Sequence, residues 1–189
     1  MPLWPLRKSS SESLAVSIAG IKLGDRLLVV GCSDPMLLAQ IAAKTGLTGR
    51  AFAVDEREAI VTAAGEIVTR EGALIETATA QWTSLPVEND SFDVAVVRDV
   101  LPHLPAHRRA ACLSEVARAL RPGGRCLVID GAARKGLSSL VRGGSGLGNY
   151  AEQGGPVQIF TSQGFKAARI IAERDGLLFA EAVKPAADR

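Results

Sequence analysis

The chain has 189 residues, of which 47% are hydrophobic and 22% are charged, the balance of a folded globular protein with a sizeable core. This composition excludes a disordered or collagen-like chain. The formal net charge of +2 is too small to favour a nucleic-acid partner held mainly by phosphate neutralisation.

Targeting and membrane signals are weak throughout the sequence. Its apolar runs fall short of the roughly 18 residues that a membrane helix needs, and MPLWPLRKSSSES at the start lacks the apolar region of a signal peptide. The three cysteines, Cys32, Cys112 and Cys126, are odd in number and have no C-x-x-C spacing. We therefore expect a cytoplasmic protein with reduced, mostly buried thiols and no metal.

The first predicted unit is a strand, a tight turn and a helix. RLLVV at 26–30 is a continuous apolar run, typical of a strand covered on both faces. Asp34 is a good helix N-cap, and Pro35 suits the first helical position because its missing N–H is no loss there. Gly46 is the expected end of this helix.

Similar units follow along the chain. The predicted elements after the first helix are a strand at 51–55, a helix at 57–71, strands at 74–78 and 92–98, a helix broken by Arg121-Pro122-Gly123-Gly124, and a strand at 125–130. Strands that alternate with helices at this spacing predict βαβ units and one parallel sheet.

The two ends of the chain differ from this pattern. Residues 167–183 predict two strands joined at Asp175-Gly176, a strong hairpin signal, so an antiparallel hairpin is expected at the edge of the sheet. We expect one domain over 1–189 whose N-terminal segment, 1–25, holds only a short helix near 11–18. The Gly-rich stretch 131–156 is predicted to be irregular, and a surface loop and a substrate lid remain open for it.

Ligands of open α/β sheets bind beyond the carboxyl ends of the strands, where the winding reverses. The residues there are Gly31 to Pro35, Asp55-Glu56, Gln81-Trp82 and Arg98 to His103. An acid that ends the second strand can accept hydrogen bonds from both hydroxyls of a ribose, so Asp55 indicates a nucleoside-like ligand. The alternative for Asp55 is a solvent-exposed acid at a strand end.

Four segments carry a resemblance to a known family: RLLVVGCSDPMLLAQIA, AFAVDERE, QWTSLPVENDSFDVAVVRDVLPHL and EVARALRPGGRCLVID. In this order and spacing they resemble class I S-adenosylmethionine-dependent methyltransferases of the small ubiquinone/menaquinone-biosynthesis type, from about residue 26 to residue 130. The resemblance implies a doubly wound, Rossmann-like and mostly parallel seven-stranded α/β sheet with an antiparallel C-terminal hairpin. It also implies S-adenosylmethionine as cofactor and methyl transfer to a small organic acceptor.

The resemblance further implies which residues would hold the cofactor. Gly31, Cys32 and Ser33 would approach its methionine part, Asp55 its ribose, Glu56 and Gln81 its adenine, with the backbone N–H of Trp82 on an adenine nitrogen and the carbonyl of Arg98 on the amine.

The first motif departs from the family pattern of an acid followed by G-x-G-x-G. Val29 stands in the place of the acid, Ser33 and Pro35 replace two glycines, and only Gly31 remains. Asp34 would place a carboxylate near the carboxylate of the cofactor, where like charges repel. A catalytically inactive binding or assembly module, with weak or lost cofactor binding, therefore remains an alternative to the enzyme.

Methyl transfer from a sulfonium needs mainly in-line positioning, and a general base only if the acceptor must lose a proton. His103 is the candidate base, with a structural histidine at a helix start as its alternative. His107, Arg108 and Arg109 are expected on a solvated helix start, and Tyr150 is a weak candidate for lining the acceptor site. The thin N-terminal segment predicts an open pocket, or one completed by a second subunit of a homodimer.

Three rival enzyme classes lack their motifs here. GCSDPM does not supply the G-x-G-x-x-G of a nicotinamide dehydrogenase. RDVLPH stands where a nucleic-acid amino-methyltransferase would resemble its family through an Asn/Asp-Pro-Pro-aromatic motif. GGSGLG follows no strand, so it is not the nucleophile elbow of a hydrolase.

Overall fold

A computed structural model describes residues 10–132 and 150–186, with side chains from residue 14 onward. The strands are β1 (Arg26–Val30), β2 (Arg50–Asp55), β3 (Glu76–Thr79), β4 (Phe92–Arg98), β5 (Leu120–Gly131), β6 (Lys166–Arg174) and β7 (Leu177–Val183). The helices are α1 (Ser10–Ala19), α2 (Pro35–Thr45), α3 (Glu58–Arg70), α4 (Ala106–Ala119) and α5 (Gly155–Ser162), with a 3-10 turn at Leu101–His103.

The seven strands form one sheet in the order β3-β2-β1-β4-β5-β7-β6. Strands β3, β2, β1, β4 and β5 run parallel, and β7 is antiparallel to both β5 and β6. This confirms the predicted mostly parallel α/β sheet with its antiparallel C-terminal hairpin. The winding reverses between β1 and β4, so the carboxyl ends of β2, β1 and β4 lie side by side where a ligand site is expected.

Both faces of the sheet are covered, as the continuous apolar runs predict. Along β1, Leu28 and Val30 face one core cluster and Leu27 and Val29 face the other, because successive side chains alternate across a strand. Helices α1, α2 and α3 cover the face of Leu27, whereas α4 and α5 cover the face of Leu28. Burying both faces holds the strand ends in a fixed arrangement.

The boundaries of α2 follow from local chemistry. The Asp34 carboxylate accepts a hydrogen bond from the Leu37 backbone N–H at 3.1 Å, and Pro35 occupies the first helical position. Gly46 ends the helix with φ of +65°. The predicted N-cap, first turn and end of α2 are therefore confirmed.

Two predicted strands differ from the observed ones by more than one residue at an end. The third strand was expected at 74–78, whereas β3 spans Glu76–Thr79. The Arg121-Gly124 breaker does end α4, but β5 already begins at Leu120, which pairs with Phe92 ahead of a register shift. The Pro-Gly-Gly signal thus predicted the end of the helix to within a residue or two, but not that the strand follows the helix directly.

The hairpin turn is confirmed at Asp175-Gly176, where φ is +53° and +75°, as two-residue hairpin turns of type I′ require. Within the Gly-rich stretch, 133–149 lie outside the described residues, and the expectation of irregular chain up to Pro156 is wrong at its end. A helical turn begins at Tyr150, and α5 begins at Gly155 with Pro156 in its first turn. No helix among residues 10–132 and 150–186 is long and apolar enough to cross a membrane.

Candidate functional site

The predicted site residues gather at the carboxyl ends of β1, β2 and β4. Gly31 has φ of +95°, and a Cβ there would lie 2.3 Å from the carbonyl oxygen of Arg98. Its N–H donates to the carbonyl of Val54 at 2.8 Å. The close passage of β4 therefore requires glycine at this position, whatever ligand binds nearby.

The altered turn after Gly31 is accommodated without strain. Ser33 is exposed and is not among the residues with positive φ, so its Cβ meets no backbone penalty. The Asp34 carboxylate lies 3.7 Å from Nε of Arg98. This guanidinium offsets the negative charge that made Asp34 unfavourable beside a carboxylate ligand.

Asp55 is fully buried, so a solvent-exposed strand-end acid is excluded. One of its oxygens accepts from the Cys32 backbone N–H at 2.9 Å, and the other from the Arg57 backbone N–H at 3.0 Å. The Arg57 guanidinium binds both oxygens, at 2.8 and 3.0 Å. Burial alone would raise the pKa of Asp55, but these hydrogen bonds hold its pKa below the usual value.

The Arg57 guanidinium covers both carboxylate oxygens of Asp55. Its side chain is 53% exposed, and its guanidinium carbon lies 5.9 Å from the ring centroid of Trp82. A planar cationic group therefore lies between the buried carboxylate and the indole. Arg57 was not among the predicted site residues, although the pattern Asp-x-Arg at a strand end was the available signal.

The adenine side of the expected site is also engaged internally. The Glu56 carboxylate accepts from the Trp82 backbone N–H at 3.1 Å and from Arg108 at 2.7 Å. The Trp82 N–H expected to be available for a ligand is thus already bonded, and Arg108 is paired rather than simply solvated. Gln81 is exposed, whereas the indole Nε1 of Trp82 is buried with no hydrogen-bond partner among the described residues.

The start of α4 corrects a second expectation, because Arg109 is only 6% exposed. Its Nε donates to the carbonyls of Leu101 and Leu104 at 3.0 and 2.8 Å. Its guanidinium carbon also lies 4.9 Å from the ring centroid of Tyr150. Arg109 therefore connects the turn after β4 to the helical turn at Tyr150. The expectation that Arg109 is solvated is wrong.

His103 ends the 3-10 turn after β4, with its side chain 59% exposed. Its Nε2 lies 3.6 Å from an Asp99 carboxylate oxygen. Asp99 follows β4 directly and has φ of +54°, an uncommon backbone conformation for a residue other than glycine. His103, the candidate base, thus lies just beyond the carboxyl end of β4, beside Asp99.

A buried pair of side chains lies at the end of the neighbouring strand β5. Asp130 is fully buried, and its Oδ2 accepts a hydrogen bond from the Tyr150 hydroxyl at 2.8 Å. The pKa of Asp130 is raised to about 7: burial is the main cause and the Asp99 charge adds to it, whereas the Tyr150 hydrogen bond and the Arg98 charge oppose the rise. Tyr150 was among the predicted candidates, whereas Asp130 was not.

The three cysteines are confirmed as buried free thiols. Burial, followed by the charge of Asp55, raises the pKa of Cys32 to about 12. Burial likewise raises the pKa of Cys112 to about 12. A thiol with so high a pKa is protonated at neutral pH and is a poor nucleophile.

Comparison with known proteins decides the family. A family model described as a methyltransferase domain matches residues 27–124, just over half of the chain. The chain belongs to the methyltransferase-domain family. The cofactor implied for this methyltransferase domain is S-adenosylmethionine, in agreement with the resemblance of the motifs.

Among curated proteins, this methyltransferase domain is similar to a ubiquinone/menaquinone biosynthesis C-methyltransferase of Chromobacterium violaceum. The two are 27% identical over 119 residues, which cover 63% of this chain and 48% of the relative. The chain thus spans about half the length of that relative.

Two solved structures share the fold of this methyltransferase domain. A SAM-dependent methyltransferase from Aquifex aeolicus has a TM-score of 0.73 at 19% identity, covering 92% of this chain and 89% of the other. The [4+2]-cyclase SpnF has a TM-score of 0.71 at 17% identity, covering 97% and 86%. A protein described as a cyclase on the same fold means that the reaction must be argued from the site residues.

Proposed function

We propose that this chain is an S-adenosylmethionine-dependent methyltransferase that acts on a small organic acceptor. The observation that carries the proposal is Asp55, a buried carboxylate at the carboxyl end of β2 that presents both oxygens to a paired donor. Two vicinal hydroxyls of a ribose present the same pair of donors that Arg57 presents now. The family membership supports this assignment.

The residues present fit the cofactor if the Arg57 side chain moves aside. That side chain is half-exposed, so it can rotate into solvent while its backbone N–H stays on Asp55. The buried Nε1 of Trp82, in the same region, is a donor without an acceptor among the residues that the structure describes. Asp55 would then hold the ribose, Trp82 would border the adenine, and the turn from Gly31 to Ser33 would face the methionine part.

The bound cofactor supplies a methyl group on positively charged sulfur that is already activated for transfer. The protein must then orient an acceptor and, where the acceptor carries a proton, remove it. His103 is the proposed base, because it lies at the sheet edge with Asp99 at 3.6 Å to orient its ring.

The second candidate is a binding or assembly module that has lost cofactor binding. It is favoured by the internal occupation of the site: Arg57 holds Asp55, and Glu56 holds the Trp82 N–H. In that case the Asp55–Arg57 contact stabilises the fold and has no ligand to release it.

Calorimetric titration with S-adenosylmethionine and S-adenosylhomocysteine separates the two candidates. We expect micromolar binding to the unmodified protein, weakened about 10- to 150-fold by Asp55→Ala, the range for losing hydrogen bonds to a charged group. Glu66→Ala, an exposed acid on α3, is the matched control and should bind normally. No binding by the unmodified protein at millimolar ligand would establish the module instead.

A further inference from the structure

A cavity of about 280 Å³ lies beside the end of β5, away from Asp55. Its apolar wall comes from Pro156, Ile170 and Leu178, and its acidic groups are Asp130 and Glu173. No lysine, arginine or histidine is among the described residues that line it. The lining therefore suits a ligand with an apolar body and a cationic or hydrogen-bond-donating group, and disfavours an anion.

The carboxyl group of Asp130 is only half satisfied. Oδ2 accepts from the Tyr150 hydroxyl at 2.8 Å, whereas Oδ1 is buried with no hydrogen-bond partner among residues 10–132 and 150–186. The adjacent Asp99 N–H donates to the carbonyl of Ile129 at 3.0 Å, and it also lies close enough to the Asp130 carboxyl group to lower its pKa. Because a buried polar atom without a partner is costly, an unpartnered acceptor in the wall of a cavity marks a place where a ligand donor would be stabilising.

The geometry of this acceptor is fixed by its neighbours. Tyr150 donates to Oδ2, and its ring packs 4.9 Å from the guanidinium carbon of Arg109. Arg109 is itself held by the carbonyls of Leu101 and Leu104. Asp130 therefore keeps one orientation before any ligand arrives, as a recognition site requires.

We propose that this cavity binds a small amine with an apolar body, whose N–H group donates to Oδ1 of Asp130, and that this amine is the methyl acceptor. The acceptor role rests on the proposed methyltransferase function, whereas the binding site itself rests on the cavity and the Asp130–Tyr150 pair.

The position of Asp130 suits the acceptor role. Strand β5 is the neighbour of β4, which is the neighbour of β1, so Asp130 lies two strands, or roughly 10 Å, from the turn at Gly31. For an amine acceptor, Asp130 takes the place of His103 as the base: a bound ammonium passes one proton to Oδ1, which leaves a neutral amine with a free nitrogen lone pair and a neutral carboxylic acid. Because burial raises the pKa of Asp130 to about 7, this transfer is better balanced than with an ordinary aspartate.

The binding test uses three probes of one shape: 2-phenylethylamine, 2-phenylethanol and phenylacetate. Each is titrated into the unmodified protein at about pH 8, above the pKa of about 7 of Asp130, with NMR shifts and calorimetry as readouts. We expect the amine to bind at least about tenfold more tightly than the alcohol, the scale of a charge-assisted hydrogen bond, and phenylacetate not to bind. Equal binding of amine and alcohol, or tighter binding of phenylacetate, would overturn the inference.

Two variants locate the contact. Asp130→Asn should lower amine affinity at least about tenfold, and Tyr150→Phe should lower it less, because it removes only the group that orients the carboxylate. Glu152→Gln, an exposed acid in the helical turn at Tyr150 but outside the lining, should bind the amine normally. If Asp130→Asn does not fold, the amine affinity of Tyr150→Phe and the three-probe comparison test the site. Unchanged amine affinity in a folded Asp130→Asn or Tyr150→Phe variant would overturn the inference.

Titration of S-adenosylmethionine into the same variants separates this inference from the proposed function. Cofactor binding without amine binding would remove the amine site and leave the methyltransferase proposal standing. Amine binding without cofactor binding would keep the amine site and overturn the methyltransferase proposal.

Discussion

Arg57 binds both carboxylate oxygens of Asp55 from only two positions further along the chain, at 2.8 and 3.0 Å. Asp55 is completely buried and Arg57 is half-exposed, so the pair joins a fixed acid to a side chain that is free to leave. Under the proposed function, in which Asp55 holds the ribose of the cofactor, Arg57 would compete with the ribose hydroxyls for the same two oxygens. Ligand affinity then includes the cost of displacing it.

Removing the Arg57 side chain should strengthen the binding of S-adenosylmethionine. We expect Arg57→Ala to lower the Kd for S-adenosylmethionine about 3- to 30-fold, because no ion pair has to be broken first. The same change should lower the free energy of unfolding by about 1–2 kcal/mol, after allowing for the exposure of the guanidinium. Calorimetry and urea unfolding measure the two effects, with Arg70→Ala, in the last turn of α3, as control. Weaker cofactor binding by Arg57→Ala would instead mean that Arg57 holds the ligand.

The close passage of β1 and β4 predicts a severe effect for Gly31→Ala. The added Cβ would lie 2.3 Å from the carbonyl oxygen of Arg98, and the alanine would also have to adopt φ of +95°. We expect a loss of at least about 3 kcal/mol in the free energy of unfolding. Gly72→Ala is the control, since φ is +75° there and nothing lies within 4 Å, so only about 1 kcal/mol of backbone strain is expected. Comparable losses in the free energy of unfolding for both variants would show that β4 can shift away from the added Cβ at little cost.

The buried carboxyl group of Asp130 predicts a pH dependence of stability. Its pKa is about 7 in the folded protein, against 3.8 as the ordinary value, so the folded state binds the proton more tightly than the unfolded state. Its contribution to stability is fully present below about pH 4 and is lost as pH rises towards 7, by a few kcal/mol at most. The groups that act on it are Asp99, Arg98 and Tyr150.

Urea unfolding between about pH 4 and pH 8 measures this dependence. Relative to the unmodified protein, Asp130→Asn should gain stability with rising pH over this interval. A difference between the two proteins that stays constant with pH would show that Asp130 does not titrate there.

Arg109 should not be replaceable by lysine. Its Nε bridges the carbonyls of Leu101 and Leu104, and its Nη1 donates to the Gln153 side chain at 2.9 Å. An ammonium cannot reproduce this planar set of donors, so Arg109→Lys should cost about 1–3 kcal/mol in the free energy of unfolding. Arg108→Lys, whose partner is the single oxygen of Glu56, should cost less than about 1 kcal/mol. Equal costs would remove the structural role assigned to Arg109.

His103 is tested by separating turnover from binding. Once a methyl acceptor is in hand, His103→Gln should lower kcat about 100-fold or more if the histidine removes a proton, with the Kd for S-adenosylmethionine unchanged. His107→Gln, four residues further along the chain, is the control. An unchanged kcat in His103→Gln would leave proton removal to another group.

Local physics in the sequence determined the succession of elements. Asp34 and Pro35 set the start of α2, Gly46 its end, and Asp175-Gly176 the final hairpin, because each acts through contacts within a few residues. Uninterrupted apolar runs such as that of β4 predicted strands buried on both faces, and hence the parallel sheet. The helix α5 was missed because glycine-rich flanks hid a short element held by packing around Phe160.

Only the tertiary structure decided which partner each polar group takes at the sheet edge. The Trp82 N–H meets Glu56, 26 positions away in the sequence, and Tyr150 meets Asp130, 20 positions away. The sequence places an acid at a strand end, but whether that acid is free, paired or half satisfied depends on side chains that arrive from other elements. Burial then makes the difference large, because a carboxylate away from water depends on those few neighbours for its hydrogen bonds and its charge.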